Sequence, residues 1–161
     1  MKARQLPGLI NTLRGVFAAC ILLLFVQAAV AEDLRGRVVG IADGDTLTLL
    51  TEQRKQIRIR LSDIDTPERR QPFGTRARQS LADLTYGKMV RIVVRDTDRY
   101  GRTVGRVFAG DQDVNAEMVR RGAAWVYRRY SDDPDLLRLE QIAQVEKRGL
   151  WRLPEAERIP P

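Results

Sequence analysis

The sequence predicts an α+β domain that combines a small β-barrel of five short strands with about three α-helices. Five segments alternate apolar and polar residues, which is the pattern of strands with one buried face. Turn signals separate them, such as Asp43-Gly44-Asp45 between the first two segments. One segment with apolar residues at helical spacing lies between the strands, and two more such segments follow the last strand. Together these features fit a partly open, antiparallel five-stranded barrel of the OB type.

The five strands are short and lie in the first two thirds of the chain. In the third, Ile57, Ile59 and Leu61 share one face, and Arg58 and Arg60 share the other. The predicted strands are Leu34–Ala42, Thr46–Leu50, Gln56–Leu61, Lys88–Arg95 and Arg102–Ala109.

The first helix is predicted over Pro72–Gly87, where Phe73, Ala77, Leu81 and Leu84 fall at helical spacing. A shorter helix is predicted over Val114–Arg121. The last helix begins at Asp132 or Asp133, which can cap it, and ends at Gly149. Its apolar period runs through Leu136, Leu139, Ile142, Ala143 and Glu146, and we expect Leu139 and Ile142 to face the core.

Residues 1–31 are typical of a secretory signal peptide. Three basic residues precede or flank an apolar run over Val16–Val26, and Ala29-Val30-Ala31 is a small-residue cleavage site. We expect cleavage after Ala31, one domain over residues 32–153, and a loose tail over residues 154–161. The mature chain is then secreted or periplasmic, without stable membrane association. A retained membrane anchor is the alternative, although the apolar run is short for a bilayer span.

Composition narrows the possible chemistry. The formal net charge is +7 and the basic residues are mostly Arg, which favours a nucleic acid or another anionic surface as partner. The alternative is that Arg replaces Lys only because the coding sequence is GC-rich, without any role in binding. The 161 residues contain no His, and the single Cys is Cys20, so a His base and a zinc site of the His/Cys kind are excluded. Acid–base and metal chemistry must therefore use Asp and Glu, whose oxygen ligands suit calcium or magnesium.

The densest cluster of charged residues runs from Arg60 to Glu68. A strand leads into it, and Pro67 marks the end of that strand. Asp65 and Glu68 should therefore lie on a loop just after the strand that carries Arg60. Two carboxylates beside a guanidinium suit a hard cation and a phosphate. The alternative is a strand end with solvated charges.

Three motifs occur in order along this strand pattern: Asp43-Gly44-Asp45-Thr46, then Arg60 to Glu68 with its Asp65-Thr66-Pro67-Glu68 core, then Asp98-Arg99-Tyr100-Gly101-Arg102. In this combination the chain resembles the staphylococcal nuclease family. The resemblance covers about Leu34 to Trp151 and extends to the closing Gly149-Leu150-Trp151.

The resemblance implies a calcium-dependent endonuclease that acts on DNA and RNA and leaves 3′-phosphate ends. It also implies that Asp45 and Asp65 ligate calcium, that Thr66 offers its carbonyl oxygen, and that Asp43 is a further acid near the ion. Arg60 and Arg102 would bind the scissile phosphate, and Glu68 would act as general base or orient the attacking water.

The substrate pocket is less well defined. Tyr127 and Tyr130 are the candidate aromatic residues, Arg99 is a candidate phosphate contact, and simple packing or surface roles are the alternative. The loop after Glu68 is shorter than in the best-known family member and is rich in Arg.

We expect a monomer. Two other functions stay open: a nucleic-acid-binding barrel without hydrolysis, and a secreted OB-type domain for oligosaccharides or proteins.

Overall fold

The computed structural model describes residues 33–160, so the predicted signal peptide lies outside the described residues. The described strands, in chain order, are β1 (Leu34–Ile41), β2 (Thr46–Thr51), β3 (Gln56–Leu61), β4 (Ile64–Asp65), β5 (Met89–Thr97), β6 (Thr103–Ala109), β7 (Gln112–Asp113) and β8 (Trp125–Val126). The helices in this part of the chain are α1 (Gly74–Thr85), α2 (Val114–Arg120) and α3 (Pro134–Val145). The predicted α+β class is therefore confirmed. No helix within residues 33–160 is long and apolar enough to cross a bilayer.

The barrel is closed by one parallel pair of strands. Neighbours in the order β3-β2-β1-β5-β6 pair antiparallel, and β3 then pairs with β6 in parallel. In that last pair Arg60 lies opposite Val104, and Leu61 opposite Gly105. The predicted five-stranded barrel of the OB type is confirmed, and at this junction it is closed by a parallel pair rather than left partly open. The long connection through α1 and β5 lets β6 return alongside β3 in the same direction, which a short hairpin cannot do.

The barrel interior is filled by the alternating apolar positions that the sequence predicted. Ile59 and Leu61 on β3 are fully buried, whereas Arg58 on the opposite face is exposed. Neighbouring strands contribute Val38, Leu47, Leu49, Ile92 and Val107 to the same core. Because alternate residues point outward, Arg60 lies on the outer face next to Thr46, its partner on β2.

The first and last helices differ in how well their buried faces were predicted. In α1, Ala77, Leu81 and Leu84 are buried as expected. In α3 the buried residues are Leu136, Glu140 and Ala143. Leu139 packs against the core as predicted, although it is only partly buried; Ile142 is also only partly buried, and Glu146 is exposed.

The buried carboxylate of Glu140 explains which face of α3 is turned toward β8. Glu140 accepts a hydrogen bond from the backbone N–H of Val126 on β8 at 2.8 Å, and it also pairs with Arg128. This contact draws the Glu140 side of the helix against β8. Asp133 caps the helix by accepting from the N–H groups of Asp135 at 2.9 Å and Leu136 at 3.3 Å, and Pro134 occupies the first turn as predicted.

The segment after β3 is held by elements that are distant in sequence. β4 pairs with β8, so that Asp65 lies opposite Trp125. Asn115 at the start of α2 is fully buried, accepts from the Val107 N–H at 3.0 Å, and donates to the Ser62 carbonyl at 2.8 Å. The chain that carries Asp65 is thereby fixed to β6, α2 and β8. The tail begins with one short 3-10 helix, Glu155–Glu157.

Replacing Asn115 should destabilise the fold because two buried backbone groups lose their only side-chain partner. For Asn115→Ala we expect the free energy of unfolding to fall by about 2–4 kcal/mol. The measurement is urea denaturation, with a lower midpoint and an unchanged m-value. Gln112→Ala is the control, since Gln112 is exposed and its replacement should cost less than about 0.5 kcal/mol. Equal midpoints for the two variants would contradict the bridging role.

The acid stability of the fold should depend on Asp133. The hydrogen bond from the Arg106 guanidinium, at 2.8 Å, lowers the pKa of Asp133 below its ordinary value of 3.8. As pH falls, the Asp133 carboxylate is therefore protonated in the unfolded chain before it is protonated in the folded protein. The stabilisation that the Arg106–Asp133 pair provides is present above about pH 4 and is lost as pH falls further.

Asp133→Asn keeps a capping side chain but removes the titrating group, so stability should decline less steeply below about pH 4. Urea titrations at several acidic pH values measure this. Asp135→Asn is the matched control on the same helix, because the Asp135 side chain is 80% exposed and lies 3.8 Å from its nearest cation. An unchanged acid decline in Asp133→Asn would show that the Arg106 pair does not contribute.

Candidate active site

Arg60 joins the two predicted metal ligands. Its Nη2 donates to Asp65 Oδ1 at 2.9 Å, and its Nη1 lies 3.2 Å from Asp45 Oδ2. Nη1 also donates to the carbonyls of Leu61 and Ile64, both at 2.8 Å. The guanidinium therefore fixes the turn between β3 and β4 and holds a carboxylate of the β1–β2 loop next to one of β4.

Arg60 keeps part of its donor capacity. A guanidinium has five N–H donors, and these contacts use only the two terminal nitrogens. Within residues 33–160, the Nε–H and one Nη2 hydrogen have no partner. This edge of the fork has the geometry that binds a phosphate through two parallel hydrogen bonds.

Arg102 connects to the same cluster through a hydroxyl. Its Nη1 donates to Thr46 Oγ1 at 3.3 Å, and that hydroxyl donates to Asp45 Oδ1 at 3.0 Å. Its Nε donates to Asp98 Oδ2 at 2.7 Å, and its backbone N–H donates to Asp98 Oδ1 at 3.0 Å. Asp98 thus closes the hairpin before β6 and aims the guanidinium at the acid cluster. The Nη2 group of Arg102 has no partner among the described residues.

The acid cluster carries more negative charge than Arg60 offsets. Burial raises the pKa of Asp45 to about 7, even though Arg60 lowers it, and Asp43 raises it further. Burial also raises the pKa of Asp65, again against the effect of Arg60. Two poorly hydrated carboxylates with one guanidinium form a place where an additional positive charge is stabilising.

The donor set fits a hard cation. Carboxylate oxygens of Asp45 and Asp65 and the oxygens of Thr66 are the ligand types that calcium and magnesium prefer. Gly44 packs against Thr66, since a Cβ on Gly44 would lie 2.8 Å from the Thr66 Oγ1 and Cβ atoms. No three His, Cys, Asp or Glu side chains within residues 33–160 group closely enough to hold a metal alone. Water or substrate oxygens would have to complete the coordination.

Glu68 lies three residues after Asp65 and is exposed. Its carboxylate makes no hydrogen bond or ion pair with the described residues, whereas its backbone is tightly held. The Glu68 N–H donates to Gln71 Oε1 at 2.6 Å, and the Gln71 N–H donates back to the Glu68 carbonyl at 2.8 Å. Gly74 packs on that carbonyl, because a Cβ there would lie 2.0 Å from the oxygen. A fixed backbone with an uncommitted carboxylate suits a general base.

The candidate pocket residues make no hydrogen bond or ion pair with the acid cluster among the described residues. Tyr127 follows β8, and its N–H donates to the Asp63 carbonyl at 2.9 Å. Its ring packs edge-on against Tyr130 with centroids 4.9 Å apart, and Tyr130 is 66% exposed. Arg99 sits at the tip of the Asp98–Arg102 hairpin. Within the described chain, none of the three makes a hydrogen bond or ion pair with Asp45, Arg60 or Asp65.

Tyr100 is a further candidate that our sequence analysis did not single out. It is 69% exposed, and the guanidinium carbons of Arg99 and Arg102 lie 4.8 Å and 5.6 Å from its ring centre. An exposed aromatic between two arginines is a surface on which a base can stack. Its position between Arg99 and Arg102 in the sequence was a signal that could have identified it.

A closed OB-type barrel that groups Asp45 and Asp65 with two partly unpartnered arginines is suited to hold a cation and a phosphate. Comparison with known proteins agrees. A family model described as staphylococcal nuclease homologue matches residues 58–153, a range that includes Arg60, Asp65, Glu68 and Arg102 but begins after Asp45.

Relatives extend the similarity over most of the chain. A micrococcal nuclease of Shigella flexneri is 46% identical over 156 residues, which cover 90% of this chain and 88% of that protein. An uncharacterized endonuclease of Haemophilus influenzae is 44% identical over 140 residues, covering 86% and 79%. An uncharacterized endonuclease of Escherichia coli O157:H7 is 43% identical over 142 residues, covering 88% and 91%. The chain belongs to the staphylococcal nuclease family, and this relationship supports an endonuclease activity.

Loosening the Gln71 contact should impair nuclease activity through Glu68. In Gln71→Ala the Glu68 backbone loses its side-chain acceptor, so the carboxylate should spend less time in a productive position. We expect kcat to fall by about two- to tenfold, the value of one ordinary hydrogen bond, with little change in KM. Steady-state cleavage of a fluorogenic oligonucleotide measures both constants.

Two controls accompany this variant. Gln71→Glu keeps an acceptor oxygen and should recover part of kcat. Gln79→Ala removes an exposed glutamine of α1 that bonds only Asp83, and should leave kcat unchanged. A rise in KM with constant kcat in Gln71→Ala would assign Gln71 to substrate binding instead.

Proposed function

We propose that this protein is a secreted, calcium-dependent endonuclease that hydrolyses phosphodiester bonds of DNA and RNA and leaves 3′-phosphate ends. The observation that carries this proposal is the Arg60 bridge. It places Asp45 and Asp65 together beside Arg102, so that anionic and cationic groups for one metal-assisted phosphoryl transfer converge.

Calcium is the proposed cofactor, and Asp45, Asp65 and the Thr66 carbonyl are its proposed ligands. The raised pKa values of both aspartates support this assignment, because a bound cation would offset charge that Arg60 leaves uncompensated. When bound, calcium supplies positive charge next to the phosphate. Asp43 accepts from the Asp45 N–H at 3.3 Å and so helps to orient the loop that carries this ligand.

Arg60 and Arg102 are the proposed phosphate-binding residues. Negative charge grows on the non-bridging oxygens of the phosphate in the transition state, and preorganised donors there lower the barrier. Arg60 is held by two carboxylates and two carbonyls, and Arg102 by Asp98 and Thr46. Their remaining N–H groups can therefore donate to the substrate without a large loss of side-chain freedom.

Glu68 is the proposed general base, or the residue that orients the attacking water. Its exposed carboxylate is free to accept a proton or a hydrogen bond while its backbone stays fixed by Gln71 and Gly74. Water attacks phosphorus, the bond to the 5′ oxygen breaks, and the leaving oxygen takes a proton from solvent.

Bases of the substrate would stack on exposed aromatic residues near the site. Tyr130 and Tyr100 are exposed and offer such surfaces, Tyr127 is partly buried and packs edge-on against Tyr130, and Arg99 offers a phosphate contact. Stacking tolerates any base and reads neither the 2′ position nor a particular sequence. This is consistent with a proposed action on both DNA and RNA.

Export through the predicted signal peptide is also part of the proposal. It rests on the charged, apolar and small-residue segments of residues 1–31. The mature protein would then be a monomer in the periplasm or the medium, beginning at Glu32. Determination of the N-terminal sequence of the exported protein tests this, and a start far from Glu32 contradicts it.

The nuclease proposal is tested by cleavage of DNA and RNA with calcium and with chelator, using the wild-type mature chain and Glu68→Gln. We expect cleavage only with calcium, products with 3′-phosphate ends by mass spectrometry, and a fall in kcat of about 100-fold or more in the variant. Glu52→Gln, in the exposed turn between β2 and β3, is the matched control and should keep full activity.

Each alternative has its own outcome in this experiment. Cleavage that persists in chelator would reject the calcium mechanism. Salt-sensitive DNA binding without cleavage would identify a nucleic-acid-binding barrel without hydrolysis. Calcium affinity measured by calorimetry for Asp45→Asn and Asp65→Asn tests the ligand assignment independently of activity, and wild-type affinity in both variants would contradict it.

A further inference from the structure

A positively charged surface follows Glu68 directly and has no role in the site described above. It consists of Arg69, Arg70 and Arg76, all of which are exposed. None of the three forms an ion pair or donates a hydrogen bond within the described part of the chain. Between Thr66 and Ala82 the only acid is Glu68, and it forms no ion pair with any of the three arginines. We call these three residues the Arg69–Arg76 surface.

Backbone geometry places this surface next to Glu68. Arg69 and Arg70 occupy the tip of a turn that the Gln71 N–H closes onto the Glu68 carbonyl at 2.8 Å. Consecutive Cα atoms are about 3.8 Å apart, so both arginines lie within about 8 Å of Glu68 at the Cα level. The helix that carries Arg76 begins at Gly74, which packs on the same carbonyl oxygen.

The turn leading to Arg76 is fixed and borders an open cleft. Phe73 has φ of 69°, a left-handed conformation that is unusual for a bulky residue, and its ring packs against the core. The guanidinium carbon of Arg76 lies 5.8 Å from the Phe73 ring centre. A cleft of about 360 Å³ opens here, lined by Pro72, Phe73, Arg76 and Leu153 among others. A substrate strand that leaves Glu68 on this side therefore meets Arg69 and Arg70 at the turn and then Arg76 at the cleft.

We infer that the Arg69–Arg76 surface binds phosphates of the substrate strand that lie beyond the scissile phosphate. This inference rests on the proposed nuclease function. The ligand class is the phosphodiester backbone of a single polynucleotide strand, and the recognising chemistry is the arginine fork. Arg60 and Arg102 hold the scissile phosphate, whereas the Arg69–Arg76 surface makes longer strands better substrates than short ones.

The test uses oligothymidylates of two to twelve nucleotides and the double variant Arg69→Gln/Arg70→Gln. The loss of kcat/KM should grow with length, from a small change for the dinucleotide to about tenfold for the dodecamer. Arg76→Gln should show the same trend with a smaller loss, and Arg69→Lys/Arg70→Lys should recover part of it. Arg138→Gln is the matched control, because Arg138 lies on the face of α3 opposite its buried residues.

A binding measurement tests this inference independently of phosphodiester cleavage. In an otherwise identical Glu68→Gln background, anisotropy of a labelled dodecamer gives the dependence of log K on log salt concentration. Removing two phosphate contacts should reduce that slope by about 1.4 for a single strand. Thermal unfolding of each variant verifies that the fold is retained.

Three outcomes are decisive. A loss of kcat/KM that is equal at every length, or a salt slope that matches Arg138→Gln, overturns the inference. A loss that grows with length and a reduced slope establish it. If the wild-type protein cleaves no oligonucleotide at any length, the proposed nuclease function fails, and the anisotropy slope still decides whether this surface binds a strand.

Discussion

Arg60 is the residue on which the site depends. Its side chain is only 14% exposed, yet it carries a full charge, which is costly unless hydrogen bonds replace water. The structure replaces them with two carboxylates and two backbone carbonyls. These partners come from the β1–β2 loop, from β3 itself and from β4, so the guanidinium can be satisfied only when all three segments are in place. Folding of the barrel and assembly of the acid cluster are therefore one event.

The segment from Ser62 to Asp65 is also fixed by polar contacts to later parts of the chain. Asn115 reaches the Ser62 carbonyl, β8 pairs with β4, and Glu140 holds the Val126 N–H of β8. Such supports matter because electrostatic stabilisation of a transition state requires dipoles and charges that are already oriented. Helices α2 and α3 thus help to hold the candidate site in place, although neither supplies a predicted catalytic residue.

Local patterns in the sequence predicted the local features well. The alternation over Gln56–Leu61 placed Arg60 on the outer face, as observed. The prediction of a loop at Asp65 was wrong, because Asp65 lies in the short strand β4, which exists only through its pairing with the distant β8. The parallel β3–β6 pair could not be predicted, because each strand shows the same alternation whichever neighbour it pairs with. Similarly, the buried Glu140 breaks the rule that charged residues face solvent, since its partner is a backbone N–H that no side-chain pattern reveals.

The candidate site, too, contains residues that the sequence predicted and residues that it could not predict. The motifs identified Asp45, Arg60, Asp65 and Arg102. In the structure Arg60 contacts both aspartates directly, and Arg102 reaches Asp45 through the Thr46 hydroxyl. The role of Gln71 was not predictable, because a glutamine in an exposed loop carries no signal until its oxygen is seen on the Glu68 N–H. Contacts between neighbours in sequence are thus accessible to pattern reasoning, whereas contacts chosen by loop geometry are not.

Charge in this protein is divided between two environments with different physics. The Asp45–Arg60–Asp65 cluster is largely shielded from water, so its interactions are strong, fixed in direction and weakly affected by salt. Arg69 and Arg70 are exposed, so their fields are weaker, adaptable and screened by ions within about 10 Å at 0.1 M salt. A polyanion is best captured by the second kind of charge, because its phosphates arrive in many positions. A single phosphorus atom is best activated by the first kind, because its transition state has one geometry. The short loop after Glu68 brings the two environments together with only one turn of chain between them.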